Sequence, residues 1–387
     1  MARAALSVEA IDRLDEHLKT RIPELWKLKR SATKIIGYTP GAYFPEELVY
    51  AAGAIPLQLV RGGDPEAVQE AYKYHVRWFD TFARTQIVYQ LSGEEPLYNL
   101  PDLLVAQVTD HNMRAIGAAA RLYGNTEVYK LGVPHSQHQW GLEYFVDNLH
   151  LLKAKLEEVT GNKVTDDKLR ASISLCNRMR QTLKEISLTR KSQQPPITSR
   201  DFVKVHHAAF YADREVLVQI LETLLKELKE KEAPARKGPR ILLTGGTLAM
   251  GDYKVLDLVE GDLGGQIVIE HFDEGLIDYW ENVDPAGDLI QALAERYFMK
   301  QTVAAWFRPS RPRLDFLVKL ARDFDVKGVI WYQLTFRDCI EIQSHRFPPI
   351  LERELGIPML KLQSDYDREE KNYFKTRAEA FLEMIGG

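Results

Sequence analysis

Twice along this 387-residue chain, short β-rich runs alternate with segments of helical periodicity. That alternation is the signature of βαβ units wrapped around a parallel sheet, and it restricts the fold more than any composition figure. In the first series the expected strands are residues 34–38, 55–60, 103–108 and 127–131, with crossover helices over 46–53 and 112–123. The second series starts sharply at Arg240, with strands expected over 241–244, 267–270, 328–333 and 359–362. A polar amphipathic helix is expected over 8–31, carrying Leu14, Leu18 and Leu25 among many charges. Between the two series, Leu142, Phe145, Leu149, Leu152 and Leu156 repeat at helical spacing. The same holds for Leu169, Ile173, Cys176 and Met179, and for Val216, Ile220, Leu224 and Leu228. Gln193-Gln194-Pro195-Pro196 interrupts this helical stretch, and the run 233–239 reads as a linker. The expected organisation is an α/β unit over 1–139, a helical segment over 140–238 and a second α/β unit over 239–387. Two such units place a cleft between the carboxyl ends of two sheets, where open α/β sheets bind ligands.

Composition narrows the partners. Hydrophobic residues make up 45% of the chain and charged residues 27%, which suits domains with real cores. A formal net charge of −4 gives no general attraction to nucleic acid, although local basic sites for phosphates stay open. No run approaches the ~20 apolar residues that span a bilayer, and the amino terminus lacks a secretion signal. With Cys176 and Cys339 the only cysteines, there is no disulfide framework, and a cytoplasmic location is expected.

Four loops at strand ends carry the groups that could do chemistry. Thr109-Asp110-His111-Asn112 offers a carboxylate and an imidazole, which can relay protons or orient a ligand; equally, Asp110 or Asn112 caps the following helix. Thr244-Gly245-Gly246-Thr247 lets backbone N–H groups approach an anion, but it lacks the dinucleotide fingerprint and the P-loop lysine, and a plain tight turn is the alternative. Thr335-Phe336-Arg337-Asp338-Cys339 presents a guanidinium that could clamp a phosphate or carboxylate, or pair with a neighbouring carboxylate and hold the loop. Glu270-His271-Phe272-Asp273-Glu274 leaves a strand with His271 and Asp273 able to face the cleft. His135 with His138, and His206 with His207, lack a third ligand for a metal.

In this order, these loops resemble the family of 2-hydroxyacyl-CoA dehydratase and benzoyl-CoA reductase catalytic subunits, most of all the smaller core subunit of the ATP-dependent reductase. The resemblance rests on residues 37–56, Asn177-Arg178-Met179-Arg180, Ala294-Glu295-Arg296-Tyr297, residues 326–341, and the tail from Gly356-Ile357-Pro358 to Asp365 with residues 376–381. It implies two Rossmann-like, flavodoxin-like domains with helical insertions. It also implies a core formed with a homologous larger subunit, binding an acyl-CoA beside a [4Fe–4S] cluster, with electrons from a separate ATP-hydrolysing iron–sulfur activator. Two-electron dearomatisation of benzoyl-CoA is the activity expected from that branch. A 2-hydroxyacyl-CoA dehydratase subunit, or a cluster-less scaffold, are the alternatives.

Cluster-bearing members of the family place cysteines in three loops, and here the pattern departs. The loop Arg61-Gly62-Gly63-Asp64-Pro65 has none, Asp110 stands about where the second would be, Arg337 about where the third would be, and Cys339 is displaced by two residues. A cubane needs about four ligands, mostly thiolates. The expectation is that a partner holds most or all of the cluster, with Cys339 the one candidate ligand of this chain and insufficient alone. On the same reading Asp110, His111, His271 and Arg337 are the candidates for proton supply or for stabilising a thioester oxygen. Gly245, Gly246, Thr247 and Thr335 are the candidates for holding the bound acyl-CoA or another cofactor.

Overall fold

The structure is a computed structural model that describes residues 8–74, 76, 78–233, 235–301 and 310–386. Two four-stranded sheets form its frame. The first contains β1 (Ile35–Tyr38), β2 (Ile55–Gln58), β3 (Leu103–Val108) and β4 (Glu127–Gly132), in the order β2-β1-β3-β4. The second contains β5 (Arg240–Gly245), β6 (Gln266–His271), β7 (Gly328–Leu334) and β8 (Met359–Ser364), in the order β6-β5-β7-β8. Every pairing is parallel, so the second sheet repeats the order of the first. Two Rossmann-like α/β units result. Helices cover both faces of the sheets, so the central strands β1, β5 and β7 are buried at every position, as is edge strand β6, whereas edge strand β8 alternates.

In each sheet the strand order reverses at one gap, between β1 and β3 and between β5 and β7, and such a switch point leaves a crevice at the carboxyl ends. The two crevices face each other. Met250 after β5 donates its N–H to the carbonyl of Val60 at 2.9 Å and accepts one from Gly62 at 3.0 Å, and Arg61 bridges Met250 in parallel. The Thr81 N–H likewise reaches the carbonyl of Thr335 at 3.3 Å.

The helical periodicity between the sheets forms helices Gln139–Thr160, Asp166–Thr189, Ser199–Ala208 and Arg214–Glu230. Their apolar faces are the expected ones except at Val216, which is 37% exposed. The buried face of that last helix runs instead through Leu217, Ile220, Leu221, Leu224 and Leu228. The leading helix, Glu9–Arg30, lies against it with Leu14 and Leu25 fully buried. The crossover helix expected over 46–53 ends at Ala51. Among the described residues no helix is long and apolar enough to cross a membrane.

Candidate functional site

Where the carboxyl ends meet, one arginine of the second unit is gripped by two aspartates of the first. Asp110 follows β3 and caps helix His111–Tyr123, its Oδ1 accepting the N–H groups of Asn112 at 2.8 Å and Met113 at 3.1 Å. Its other oxygen, Oδ2, lies 3.0 Å from Arg337 Nη2. Asp110 thus caps a helix with one carboxylate oxygen and pairs with Arg337 through the other. Asp80 repeats the design: it caps helix Thr81–Ser92 through Oδ1, and its Oδ2 accepts from Arg337 Nη1 at 2.7 Å. All three side chains are buried. Burial pushes the Asp80 carboxyl up although Arg337 opposes it, and the two aspartates hold the guanidinium well above its ordinary range against its own burial. Preceding Arg337, Phe336 takes a φ of 64°, a left-handed conformation that a bulky residue adopts only under constraint. Its carbonyl accepts from Asn112 Nδ2 at 3.4 Å, and its ring packs edge-on against Trp78.

Around this knot lies a second set of charges. Arg313 donates from Nη2 to the Gly245 carbonyl at 2.5 Å and brings Nη1 within 3.8 Å of Asp273 Oδ1. Asp273 and Glu274 follow β6, and burial raises both carboxyls, Glu274 well above its ordinary range. Arg337 Nε, Arg313 Nε and Nη1, Asp273 Oδ1, Glu274 Oε2 and His271 Nε2 are all buried without a hydrogen-bond partner among the described residues. Native proteins leave few such groups, so six of them on neighbouring strand-end segments single out this region as the candidate site.

The other expected residues are distributed differently. His271 is fully buried beside Thr244, Phe316 and Arg313, and burial followed by the Arg313 charge keeps its imidazole neutral. His111 sits half-buried at the rim, its ring 6.3 Å from that of Phe79. Gly245 and Gly246 answer to backbone packing: a Cβ on Gly245 would lie 1.6 Å from the Tyr332 carbonyl oxygen, and the Gly246 carbonyl accepts from the Asp273 N–H. Thr247 is buried, and Thr335 is tied to Ser364, whose carbonyl oxygen accepts from both the Thr335 N–H and its Oγ1. Cys339 is 1% exposed in the first turn of helix Asp338–Arg346, and burial pushes its thiol up to about 12, which favours the protonated, non-ligating form.

Two openings are lined by other residues of the two units. A groove of about 610 Å³ runs past the ends of β2, β5 and β8, lined by Arg61, Gly63, Tyr253, Lys254, Tyr366 and Phe374 among others; its size is that of a ligand site. A small internal cavity of about 40 Å³ lies between Tyr38, Glu46, Asp278 and Arg296. Behind it stands a set of buried ion pairs that the sequence shows only as scattered segments. Arg180 pairs with Glu47 and donates to Tyr297 Oη at 2.6 Å, while Tyr297 donates to Glu47 Oε2 at 2.9 Å. Arg214 pairs with Glu46, and the Tyr38 hydroxyl donates to Glu46 Oε1 at 2.5 Å. These contacts fasten the helical segment to the first sheet.

The residues at the three loops do not fit an iron–sulfur cluster. Asp110 and Arg337 neutralise each other, the loop Arg61–Pro65 carries no thiol, and Cys339 is a buried thiol. No group of three or more His, Cys, Asp or Glu among the described residues is arranged to hold a metal ion.

Comparison with known proteins decides the family. The sequence model described as 2-hydroxyglutaryl-CoA dehydratase, D-component, matches residues 41–385. The chain belongs to that family. It is 24% identical over 360 residues to the (R)-phenyllactyl-CoA dehydratase beta subunit of Clostridium sporogenes, covering 92% of this chain and 93% of the relative. It is 25% identical over 348 residues to one of the subunits of benzoyl-CoA reductase from Thauera aromatica, covering 88% and 86%. With the beta subunit of (R)-2-hydroxyglutaryl-CoA dehydratase of Acidaminococcus fermentans it shares 24% identity over 395 residues, 100% of both.

Proposed function

We propose that this protein is the smaller core subunit of an acyl-CoA-processing complex, acting with a homologous larger subunit on a 2-hydroxyacyl-CoA thioester. The family match over residues 41–385, together with relatives whose names denote dehydratase beta subunits, is the observation that carries this reading. The redox centre belongs to the larger subunit, and an ATP-hydrolysing iron–sulfur activator serves the complex. On this reading the chain contributes a dry, charged wall: Arg337, with Nε still free to donate among the described residues, faces developing charge on the thioester oxygen, and Asp80 and Asp110 hold it in place. Asp110, His111 and His271 are positioning groups around that wall, and the 610 Å³ groove past the ends of β2, β5 and β8 receives the acyl-CoA.

Reduction of benzoyl-CoA to a cyclic diene thioester is the second reading, favoured by the likeness to the Thauera aromatica benzoyl-CoA reductase. Anaerobic purification of the chain with its native partners, followed by assays with a 2-hydroxyacyl-CoA and with benzoyl-CoA, separates the two. Dehydration of the hydroxy thioester supports the first reading. Reduction of the aromatic thioester replaces it with the second, and turnover of neither leaves a scaffold role. Iron analysis of the isolated chain is expected to fall far below one cluster per polypeptide; full cubane stoichiometry would refute the ligand argument.

A further inference from the structure

The loop that leaves β6 carries Asp273, Glu274 and Asp278 within six residues, Glu274 in the turn ahead of the short helix Leu276–Tyr279 and Asp278 within it. Each has one buried carboxylate oxygen, Asp273 Oδ1, Glu274 Oε2 and Asp278 Oδ2, without a hydrogen-bond partner among the described residues. Cations are few here. Arg313 stands 3.8 Å from Asp273, and Arg296 gives its Nη2 hydrogens to the carbonyls of Ile277 at 3.2 Å and Asp278 at 2.5 Å. Arg337 is already held by Asp80 and Asp110. Asp273 has the Arg313 guanidinium beside it, whereas Glu274 and Asp278 have no ion-pair partner among the described residues, and a buried carboxyl without one favours its neutral form.

We propose that this loop is an internal proton store: Glu274 and Asp278 sit in the folded protein as neutral carboxylic acids and supply protons to the closed site between the two sheets. Glu274 is the terminal group. The ionisable groups acting on it are Asp273, Asp278 and Arg337, and Tyr366, a residue of the 610 Å³ groove; Glu270, His206 and His207 line a small cavity with it. Asp278 is the refilling group. It lines the 40 Å³ cavity together with Arg296, whose Nη1 is also unpartnered among the described residues. That volume admits ordered water, which needs about 10–15 Å³ and two to four polar partners. Glu46, Arg180, Arg296 and Asp273 are the charged groups that act on Asp278. Consistent with this order, burial holds the Glu274 carboxyl far above its ordinary range, and that of Asp278 at about 7, where it exchanges protons with water near neutrality. In the transfer, the Glu274 O–H bond breaks, its proton bonds to the negatively charged oxygen of the bound thioester, and the carboxylate left behind is stabilised by the Arg337 charge. A proton from Asp278 then restores the acid. No electrons move.

The protonation states stand apart from the acyl-CoA reading; only the destination of the proton rests on it. Infrared difference spectroscopy on the isolated full-length chain tests the store directly. At pH 6, below the titration of Asp278, wild type minus Glu274→Gln is expected to show the loss of one carboxylic-acid C=O band, shifted downward in D2O. Asp278→Asn is expected to remove a second band whose intensity titrates around neutrality. Loss of a carboxylate band in place of the acid band in either variant overturns the proposal. Circular dichroism confirms folding, and Glu274→Asp, which shifts the band without deleting it, serves if the glutamine variant fails to fold. In the assembled complex, Glu274→Gln is expected to lower kcat at least tenfold with KM little changed. Unaltered turnover beside a working wild-type complex would overturn delivery while leaving the acyl-CoA reading intact.

Discussion

Arg337 is the residue whose replacement separates structure from charge most cleanly. Arg337→Ala leaves Asp80 and Asp110 buried side by side without their counterion, and losing one partner of a buried pair costs about 3–5 kcal/mol. Chemical denaturation should show that loss, and the triple change Arg337→Met, Asp80→Asn, Asp110→Asn should recover most of it, because no uncompensated charge remains. Asp278 sets a pH dependence. Its folded carboxyl titrates at about 7, above the ordinary value near 3.8, because burial outweighs the attraction of Arg296. The native state therefore holds a proton that the unfolded chain has released, so the group's contribution is full below that ordinary value and fades as pH rises through about 7. Asp278→Asn should flatten the fall of stability between those two pH values, as read from thermal midpoints across pH. Gly245→Ala should prevent normal folding, since no side-chain rearrangement can relieve a Cβ placed 1.6 Å from a backbone oxygen in the neighbouring strand.

Among the elements, helix starts carry double duty. Asp288 caps helix Leu289–Ala294 from an exposed position, accepting the Gln291 N–H at 2.8 Å. Asp288→Ala should cost about 1 kcal/mol, the usual worth of a cap. Asp110→Ala removes a cap and one arm of a buried ion pair together, and denaturation should show a loss larger by roughly 2 kcal/mol or more. Strand periodicity in the sequence locates all eight strands because buried parallel strands are bounded by glycine, proline and polar turns. Helical phase is less secure. Val216 fits a four-residue spacing with Ile220, yet the face that packs turns slightly and buries Leu217 and Leu221 instead, since which face is inside depends on the neighbouring helix.

On the scale of the whole molecule, the two α/β units share their interiors. Val60, Phe82, Met113 and Ile116 from the first pack in one apolar core with Leu243, Leu334 and Tyr366 from the second. A fragment ending at residue 139 would expose that surface to water, and it should remain insoluble or unfolded when expressed alone. For the intact chain, far- and near-ultraviolet circular dichroism should report one coincident unfolding transition. This continuity also explains the rigidity of the cleft, where the loop hydrogen bonds of Met250 with Val60 and Gly62, and of Thr81 with Thr335, tie one sheet to the other.

The sequence by itself determined the two parallel-sheet units, their helical connection and the family resemblance, because burial on both strand faces and loop-forming residues leave a local, periodic record. It also marked Asp110, Arg337, His271 and Asp273 as groups at strand ends. Only the tertiary structure decided what those groups meet. Asp80 was invisible as a partner of Arg337, being 257 residues away in the chain. Arg313, Glu274 and Asp278 likewise acquire their meaning from burial and from which groups reach an ion-pair partner, and neither is written in local sequence. Electrostatic pairing and desolvation depend on distances through space, so a chain can announce its strands while keeping its charge network hidden until it folds.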